Sequence, residues 1–429
     1  MHPLKKKTRV AIFCILIIVG IVGLFFYVSS DIPPPDVSDL ALERSVIPPE
    51  KNAYTYFNAA TKSFYWPTNR TLVSDYLKGL PVDDAVIQDL ISRNAETFRL
   101  INEGIRCDIY QGPEISSYDM DPCFPQSMNI PKILSIKARH DRLAGNYTEA
   151  TDTCITLLRL GQMLQKDSDT FVNYFVGKGI LNLGLTQIQD LVREKSYPLE
   201  NLSKLADALA SLGPFDSGAI RAIKGENKLT ALFFEQIQQR KFWWKWTHFF
   251  DYQFQLNRTT LIYANLSRDA INNAPRCYAD MKPSETGLGG GFKSNFRLLT
   301  HPNGIGKILA ELWRPTLAIL LYEKCKLECN VSATRLLVAL NAYQKMEGQL
   351  PDNLQELVPV YLPAVPKDPF DGKPFRFSPA LRIVYSVGKD LKDSGGSSLV
   401  PPDKLAGYSS PDRWDTEDAV FQINPGSRN

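Results

Sequence analysis

The chain has 429 residues, of which 44% are apolar and 22% charged, and its formal net charge is +3. This composition is typical of a folded protein, the length suits two or three domains, and general disorder is excluded. The small charge gives no global attraction to nucleic acid, and with four histidines a histidine-rich metal site is not expected.

An apolar run without a charge, VAIFCILIIVGIVGLFFYV, occupies 10–28. At about 1.5 Å per residue it matches the roughly 30 Å hydrocarbon core of a bilayer. Basic residues at 5–9 precede it and Asp31 and Asp36 follow, so the positive-inside rule places the short end in the cytoplasm. We therefore predict a basic cytoplasmic end at 1–9 and an uncleaved signal-anchor, a single transmembrane helix, at 10–28. A cleaved signal peptide is the alternative, although its apolar region would be shorter.

A Pro-rich stretch at 29–51 is predicted to be a stiff spacer, and 52–331 has the apolar spacing of helices. One such stripe extends from Ile87 to Ile101. Gly177, Gly179 and Gly184 would allow two helices to cross closely.

The segment 138–161 resembles one helical hairpin of the tetratricopeptide type, through Gly145, Tyr147 and Ala150. A second copy at the period of that repeat is missing. An irregular helical bundle or a solenoid-like domain is therefore expected.

Six of the seven cysteines follow the apolar run. In an oxidising compartment Cys107 with Cys123, and Cys325 with Cys329, are candidate disulfides, among fifteen connectivities. Cys325 and Cys329 would sit one helical turn apart, which is a stretched geometry for a bridge. Free buried thiols are the alternative.

Aromatic residues are densest at 242–252, where Trp243, Trp244 and Trp246 lie close together. Such a run could stack on sugars or sit at a membrane interface, because Trp has an apolar body and a polar edge. The alternative is a helix face that packs into the core.

After Gly348 the pattern changes to Pro-rich turns and short β-like runs at 374–378, 382–387 and 419–423. These runs predict a small antiparallel sheet. Asp352 and Gln355 have the spacing of a capping box ahead of a short helix.

The segments ALNAYQKMEGQLPDNLQELVPVYLPAVPKDPFDGKPFRF (339–377) and VYSVGKDLKDSGG (384–396) resemble the globular end of the major pseudopilin of type II secretion. The matching residues are Tyr343, Gly348, Pro351, Leu354, Leu357, Pro366, Asp368, Pro369, Gly372, Tyr385, Ser386, Gly388 and Asp390. The resemblance implies a pilin-like module at 332–429 and a bacterial envelope protein. It also implies calcium as a cofactor, held in a C-terminal loop by Asp390, Asp393, Asp415 and Asp418, with a solvated acidic turn as the alternative.

The apolar run lacks the glutamate of pilin-type leaders, and a long helical region separates it from the pilin-like end. Polymerisation in the manner of a pseudopilin is therefore not expected. The segment GLGGGFKS at 287–294 misses the phosphate-binding loop pattern. No serine-nucleophile or zinc-helix motif is present, and catalytic residues are not assigned.

Together these patterns predict a mainly α chain with a transmembrane helix, a helical exported domain and a small α+β module with a short antiparallel sheet. The predicted function is a periplasmic interaction or scaffold protein, anchored in the bacterial inner membrane and bound to envelope protein partners. The first alternative is an envelope enzyme or glycan-binding protein that uses 242–252. The second is a component of a type II secretion-like apparatus.

Overall fold

The computed structural model describes residues 13–20, 23, 30–69, 71–116, 124, 126–240, 252–282, 301–401 and 412–423, without the side chains of 238–240. Helices dominate these ranges, and a small sheet lies near the C-terminal end. The helices, labelled in chain order, are α1 (Ala53–Ser63), α2 (Leu72–Leu77), α3 (Asp84–Arg93), α4 (Ala95–Gly104), α5 (Ile130–Leu143), α6 (Tyr147–Lys166), α7 (Phe171–Leu191), α8 (Leu199–Ala210), α9 (Asp216–Arg240), α10 (Leu256–Asn273) and α11 (Gly304–Glu347). The strands are β1 (Arg376–Ser378), β2 (Ile383–Ser386) and β3 (Ala419–Gln422).

The predicted transmembrane helix at 10–28 is contradicted. Within the described ranges, no helix combines the length and the apolar character that crossing a bilayer requires. Of the predicted span, the structure describes 13–20 and 23. The inner-membrane localisation and the signal-anchor rested on this helix and are corrected with it.

The Pro-rich segment after this run lies along the helices and is not a free spacer. Asp31 accepts hydrogen bonds from two backbone N–H groups in the first turn of α10, at 2.6 and 3.1 Å, and so caps that helix from a distant part of the chain. Asp39 pairs with Arg268 of α10 at 2.7 Å. Arg44 pairs with the buried Asp169 at 2.5 Å. These contacts fix the segment to the helical body at three points.

The predicted stripe from Ile87 to Ile101 belongs to two helices, α3 and α4. Asn94 stands between them and is fully buried. Its side chain accepts from the N–H of Tyr65 and donates to the C=O of Tyr65, both at 3.0 Å. The side chain of Asn94 lies at the break between the two helices and thus holds the loop after α1 through both its amide oxygen and its amide nitrogen.

The predicted hairpin at 138–161 is present as α5 and α6. Gly145 lies in the turn between them with φ +79°, a conformation that side chains with a Cβ rarely adopt.

Helices α6 and α7 approach closely through glycines. A Cβ on Gly177 would lie 2.4 Å from the backbone N of Gln165, and one on Gly161 would lie 2.6 Å from the α7 backbone. Gly184 also faces α6, with Leu side chains at 3.1 and 3.2 Å. Gly179 lies off this contact, because the nearest atom to its Cβ position would be 3.8 Å away in another segment. The prediction of a close crossing therefore holds for two of its three glycines.

Helix α11 is the longest of the described helices. Its 44 residues extend over about 66 Å and contact α7, α8, α9, α10 and β2. The predicted boundary between 331 and 332 falls inside this helix. One hydrophobic core contains Leu158, Leu185, Leu336, Phe370 and Phe421, and so joins α6, α7 and α11 to the C-terminal module.

The three predicted strands are confirmed and form one antiparallel sheet in the order β1-β2-β3. Phe377 pairs with Val384, and Tyr385 pairs with Val420. The central strand, β2, is buried along its whole length.

The predicted capping box is displaced by one residue. Asn353, not Asp352, is the N-cap of the short 3₁₀ helix Leu354–Leu357, and Glu356, not Gln355, completes the box. In this register Leu354 and Leu357 are both buried.

Candidate functional site

The predicted calcium ligand Asp418 is fully buried and organises the loop in front of it. Its Oδ2 accepts hydrogen bonds from the backbone N–H groups of Ser394 (3.1 Å), Gly396 (2.8 Å) and Ser397 (3.1 Å). Burial raises the pKa of Asp418, and these three donors oppose that shift by stabilising the carboxylate.

Each of the other three predicted ligands accepts a hydrogen bond from a different donor. Asp390 is exposed and accepts from a backbone N–H two residues further on. Asp393 accepts from the hydroxyl of Tyr385 at 3.2 Å, and Asp415 accepts from the N–H of Asp412 at 3.1 Å. Among the described residues, no group of three or more His, Cys, Asp or Glu side chains is placed to hold a metal ion. Calcium binding stays a prediction, to be tested by titration.

Asp368, which the sequence assigns to a turn, joins that turn to β2. It is fully buried and accepts from Phe370 N (3.0 Å), Ser386 Oγ (2.8 Å) and Val387 N (3.1 Å). Arg376 of β1 pairs with it at 3.0 Å. Burial raises the pKa of Asp368. The carboxylate is thus a structural centre of the C-terminal module.

The cysteines that we considered for disulfides are thiols where the structure describes them. Cys325 and Cys329 are both free thiols in this structure and lie buried on α11. Positions four apart on a helix hold their Cβ atoms about 5–6 Å from each other, whereas a disulfide needs about 3.8 Å. Cys107 is also free, and its predicted partner Cys123 lies outside the described residues.

The aromatic candidates Trp243, Trp244 and Trp246 lie outside the described residues as well. The glycan-binding alternative depends on them and stays a prediction.

The candidate site that the structure adds is a cleft of about 470 Å³ between α10, α11 and the segment that follows α10. We call it the α10–α11 cleft. Its size lies within the range of ligand pockets. It is lined by Leu266, Asp269, Ala270, Asn273, Tyr278, Met281, Lys282, Arg314, Leu317, Ala318 and Leu321.

The wall of the cleft is held in place by backbone contacts. The side chain of Asn273 donates to the carbonyl of Lys282 at 2.8 Å and accepts from its N–H at 3.0 Å. Tyr278 donates its N–H to the carbonyl of Pro369 at 2.9 Å, and its ring packs on Phe370 with centroids 5.7 Å apart. The cleft therefore lies where the helical body meets the C-terminal module.

The floor of the cleft is apolar and its rim is charged. The buried lining residues Leu266, Ala270, Leu317 and Leu321 form the floor, whereas Asp269, Lys282 and Arg314, which are half-buried or exposed, bring charges of both signs to the edge. Burial raises the pKa of Tyr278, so its hydroxyl stays protonated and can donate a hydrogen bond at neutral pH. This arrangement suits an apolar group with a polar periphery.

An exposed apolar row on α11 continues from the cleft. Leu312 is 64% exposed and Ile319 is 52% exposed, and Pro315 and Ala318 are exposed beside them. We call these four residues the α11 row. Their spacing places them on one helix face, and Ala318 also lines the cleft. Pro315 removes one hydrogen bond of the helix, so this face includes a residue that disfavours the helix.

One local feature of the sequence points to this site. At 312–319 apolar residues occur on every side of the helix, which is more than burial on one side needs. The charged rim had no local signal, because Asp269 and Arg314 are distant in the chain.

The comparisons with known proteins found no match to this chain among family models, curated proteins or solved structures.

Proposed function

We propose that this protein is an interaction scaffold that binds a protein partner at the α10–α11 cleft and the α11 row. The helical body and the C-terminal module form one framework around α11, and the cleft lies at their junction. The observation that carries the proposal is the continuity of the exposed α11 row with the apolar floor of the cleft.

The extent of this surface favours a protein partner over a small molecule. A drug-sized ligand would fill the cleft, but it would leave most of the α11 row in water. From Leu312 to Ile319 the row extends about 10 Å along the helix. Exposed apolar surface next to a pocket marks interaction sites in soluble domains.

The shape of the surface suits an amphipathic helix of the partner. Such a helix places apolar anchors at spacings of three, four and seven residues in a groove. One anchor would occupy the cleft, and the next would lie on Pro315 and Ile319. The mixed charges of Asp269, Lys282 and Arg314 would then set its orientation, because charges at a rim determine register more than affinity.

A photo-crosslinking amino acid at Ile319 tests this proposal. We expect one dominant crosslinked protein, which is then purified and titrated against this chain by calorimetry. The substitution Ile319→Asp should weaken that binding at least tenfold, because it puts a charge into an apolar contact.

Leu199 on α8 gives a matched control, since it is 44% exposed and lies outside the cleft lining. Leu199→Asp should leave the affinity unchanged. Equal loss in both variants, or no loss in either, would show that the α11 row is not the binding surface. A crosslink to a second copy of the same chain would replace the separate partner by self-association.

A further inference from the structure

A second, polar pocket of about 260 Å³ lies between α7, α11 and the turn before β3. This volume is below the roughly 300–1,000 Å³ of drug-sized ligand sites, so the pocket suits a small ligand. Its lining includes Lys178 and Asn182 of α7, Lys326 and Asn330 of α11, and Arg413 and Trp414 of the turn. It shares no residue with the α10–α11 cleft.

The two lysines of the pocket share one carboxylate as their ion-pair partner. Glu323 pairs with Lys178, and it also pairs with Lys326 at 3.1 Å. Burial would raise the pKa of Glu323, but the two ammonium groups outweigh burial and hold that pKa below its usual range. Asp412, also in the lining, is exposed to solvent. The pocket therefore has an excess of positive charge.

Arg413 is the least compensated of these cations. Its Nη2 donates to Oε1 of Gln189 at 3.4 Å, which is long for a hydrogen bond. Its Nη1 is buried and has no hydrogen-bond partner among the described residues. The guanidinium lies over the ring of Phe421, 4.3 Å from the centroid. Burial, together with the nearby Arg193, lowers the pKa of Arg413.

A buried guanidinium N–H without an acceptor is costly, because it has lost its hydrogen bond to water. Bidentate hydrogen bonds to a phosphate or a carboxylate are the usual compensation for arginine. We propose that this pocket binds a small anion with a phosphate or carboxylate group, and that Arg413 is its main contact.

The aromatic wall favours an organic anion. Trp414 lies next to Arg413 in the chain, and the ammonium group of Lys326 stands over its ring, 5.4 Å from the centroid. A ligand held by Arg413 and Lys326 would place its carbon skeleton against the indole, where it gains apolar contact. The floor is made of amide groups, since Asn330 donates to Oδ1 of Asn182 at 2.8 Å.

Calorimetric titration of the full chain tests the site. The probes are inorganic phosphate and acetate at constant ionic strength, with potassium chloride as the control salt. We expect saturable binding of at least one probe at one site per chain. Arg413→Gln should weaken it at least tenfold, whereas Lys204→Gln, which removes an exposed cation on α8, should leave it unchanged.

Asn182→Asp keeps an oxygen acceptor for Asn330 and puts a negative charge into the pocket. It should abolish binding of both probes and raise the melting temperature, since the new carboxylate stands in for the anion. This variant decides the outcome if Arg413→Gln does not fold. Binding that persists in Asn182→Asp, heats that chloride reproduces, or no saturable binding of either probe would overturn the proposal.

Discussion

The hydroxyl of Ser386 donates to Oδ1 of Asp368 at 2.8 Å in the interior of the C-terminal module. The two residues are 18 positions apart, and this bond joins the turn before β1 to the end of β2. Both side chains are fully buried. A carboxylate in such a place is tolerated only when donors surround it, and Asp368 has backbone, hydroxyl and guanidinium donors.

We predict that Asp368→Asn lowers the free energy of unfolding by about 3 kcal/mol, as the loss of one partner of a buried ion pair does. At Oδ2 the carboxylate accepts from Val387 N at 3.1 Å and from Arg376 Nη1 at 3.0 Å. The NH₂ group of asparagine at this position would face the N–H of Val387 and the guanidinium of Arg376, and it could accept a hydrogen bond from neither. Urea denaturation measures the change. The control Asp352→Asn, at an exposed position, should cost less than about 0.5 kcal/mol. Similar losses in the two variants would contradict the structural role of Asp368.

A second buried carboxylate predicts a pH dependence. Glu226 of α9 is 6% exposed and accepts from the N–H of Phe171 at 2.8 Å, at the start of α7. Burial raises the pKa of Glu226 to about 7, and this hydrogen bond opposes the rise. The unfolded chain has a value of about 4.3. Between these two pH values the folded state holds the proton more tightly, so stability falls as pH rises through the window.

Glu226→Gln should remove that dependence. The glutamine oxygen can still accept from Phe171, and the side chain carries no charge to be desolvated. The variant should match the wild type near pH 4 and exceed it by on the order of 3 kcal/mol at pH 8. Urea denaturation at several pH values measures the difference. A constant difference between the two proteins over this range would show that Glu226 does not titrate there.

Short-range patterns predicted the local elements well. The β-branched and aromatic run at 382–387 became β2, and the turn at Gly145 joins two helices as expected. Both signals lie within a few residues of the feature that they predict. The capping box shows the limit of such local patterns, because Asp352 and Asn353 both carry side chains that can cap a helix, and only the structure shows that Asn353 is the N-cap.

Contacts between residues that are far apart in the chain leave no recognisable pattern in a single sequence. The contact of Asp31 with the first turn of α10 bridges 226 positions, and no local pattern announces it. The cleft likewise combines Asp269 with Arg314, which only the packing of α10 on α11 brings together. At 10–28 the apolar composition predicted a membrane helix, but no helix of the described residues is long and apolar enough to cross a membrane.

The structural role of Asp418 can be tested separately from calcium binding. Asp418→Asn keeps an acceptor oxygen for Ser394, Gly396 and Ser397 but loses the charge of these hydrogen bonds. In the presence of chelator we expect a loss of about 2 kcal/mol, typical of a charge-assisted bond. If calcium binds, the wild type should gain melting temperature on addition of the metal, and Asp390→Asn should reduce that gain. An unchanged wild-type melt with calcium would leave these aspartates with structural roles only.

Gly177 and Gly179 lie in the same helix and should respond in opposite ways to alanine. A Cβ on Gly177 would lie 2.4 Å from the backbone N of Gln165, a contact that backbone atoms cannot relieve by rotation. Gly177→Ala should therefore separate α6 from α7 and cost about 3 kcal/mol or more. At Gly179 the nearest atom to a Cβ would be Met128 Cε at 3.8 Å, which is an ordinary contact. Gly179→Ala should stabilise α7 by up to about 1 kcal/mol, because alanine restricts the unfolded chain. Urea denaturation of the two variants compares them directly, and a loss of stability in both would mean that the two helices pack in a different register.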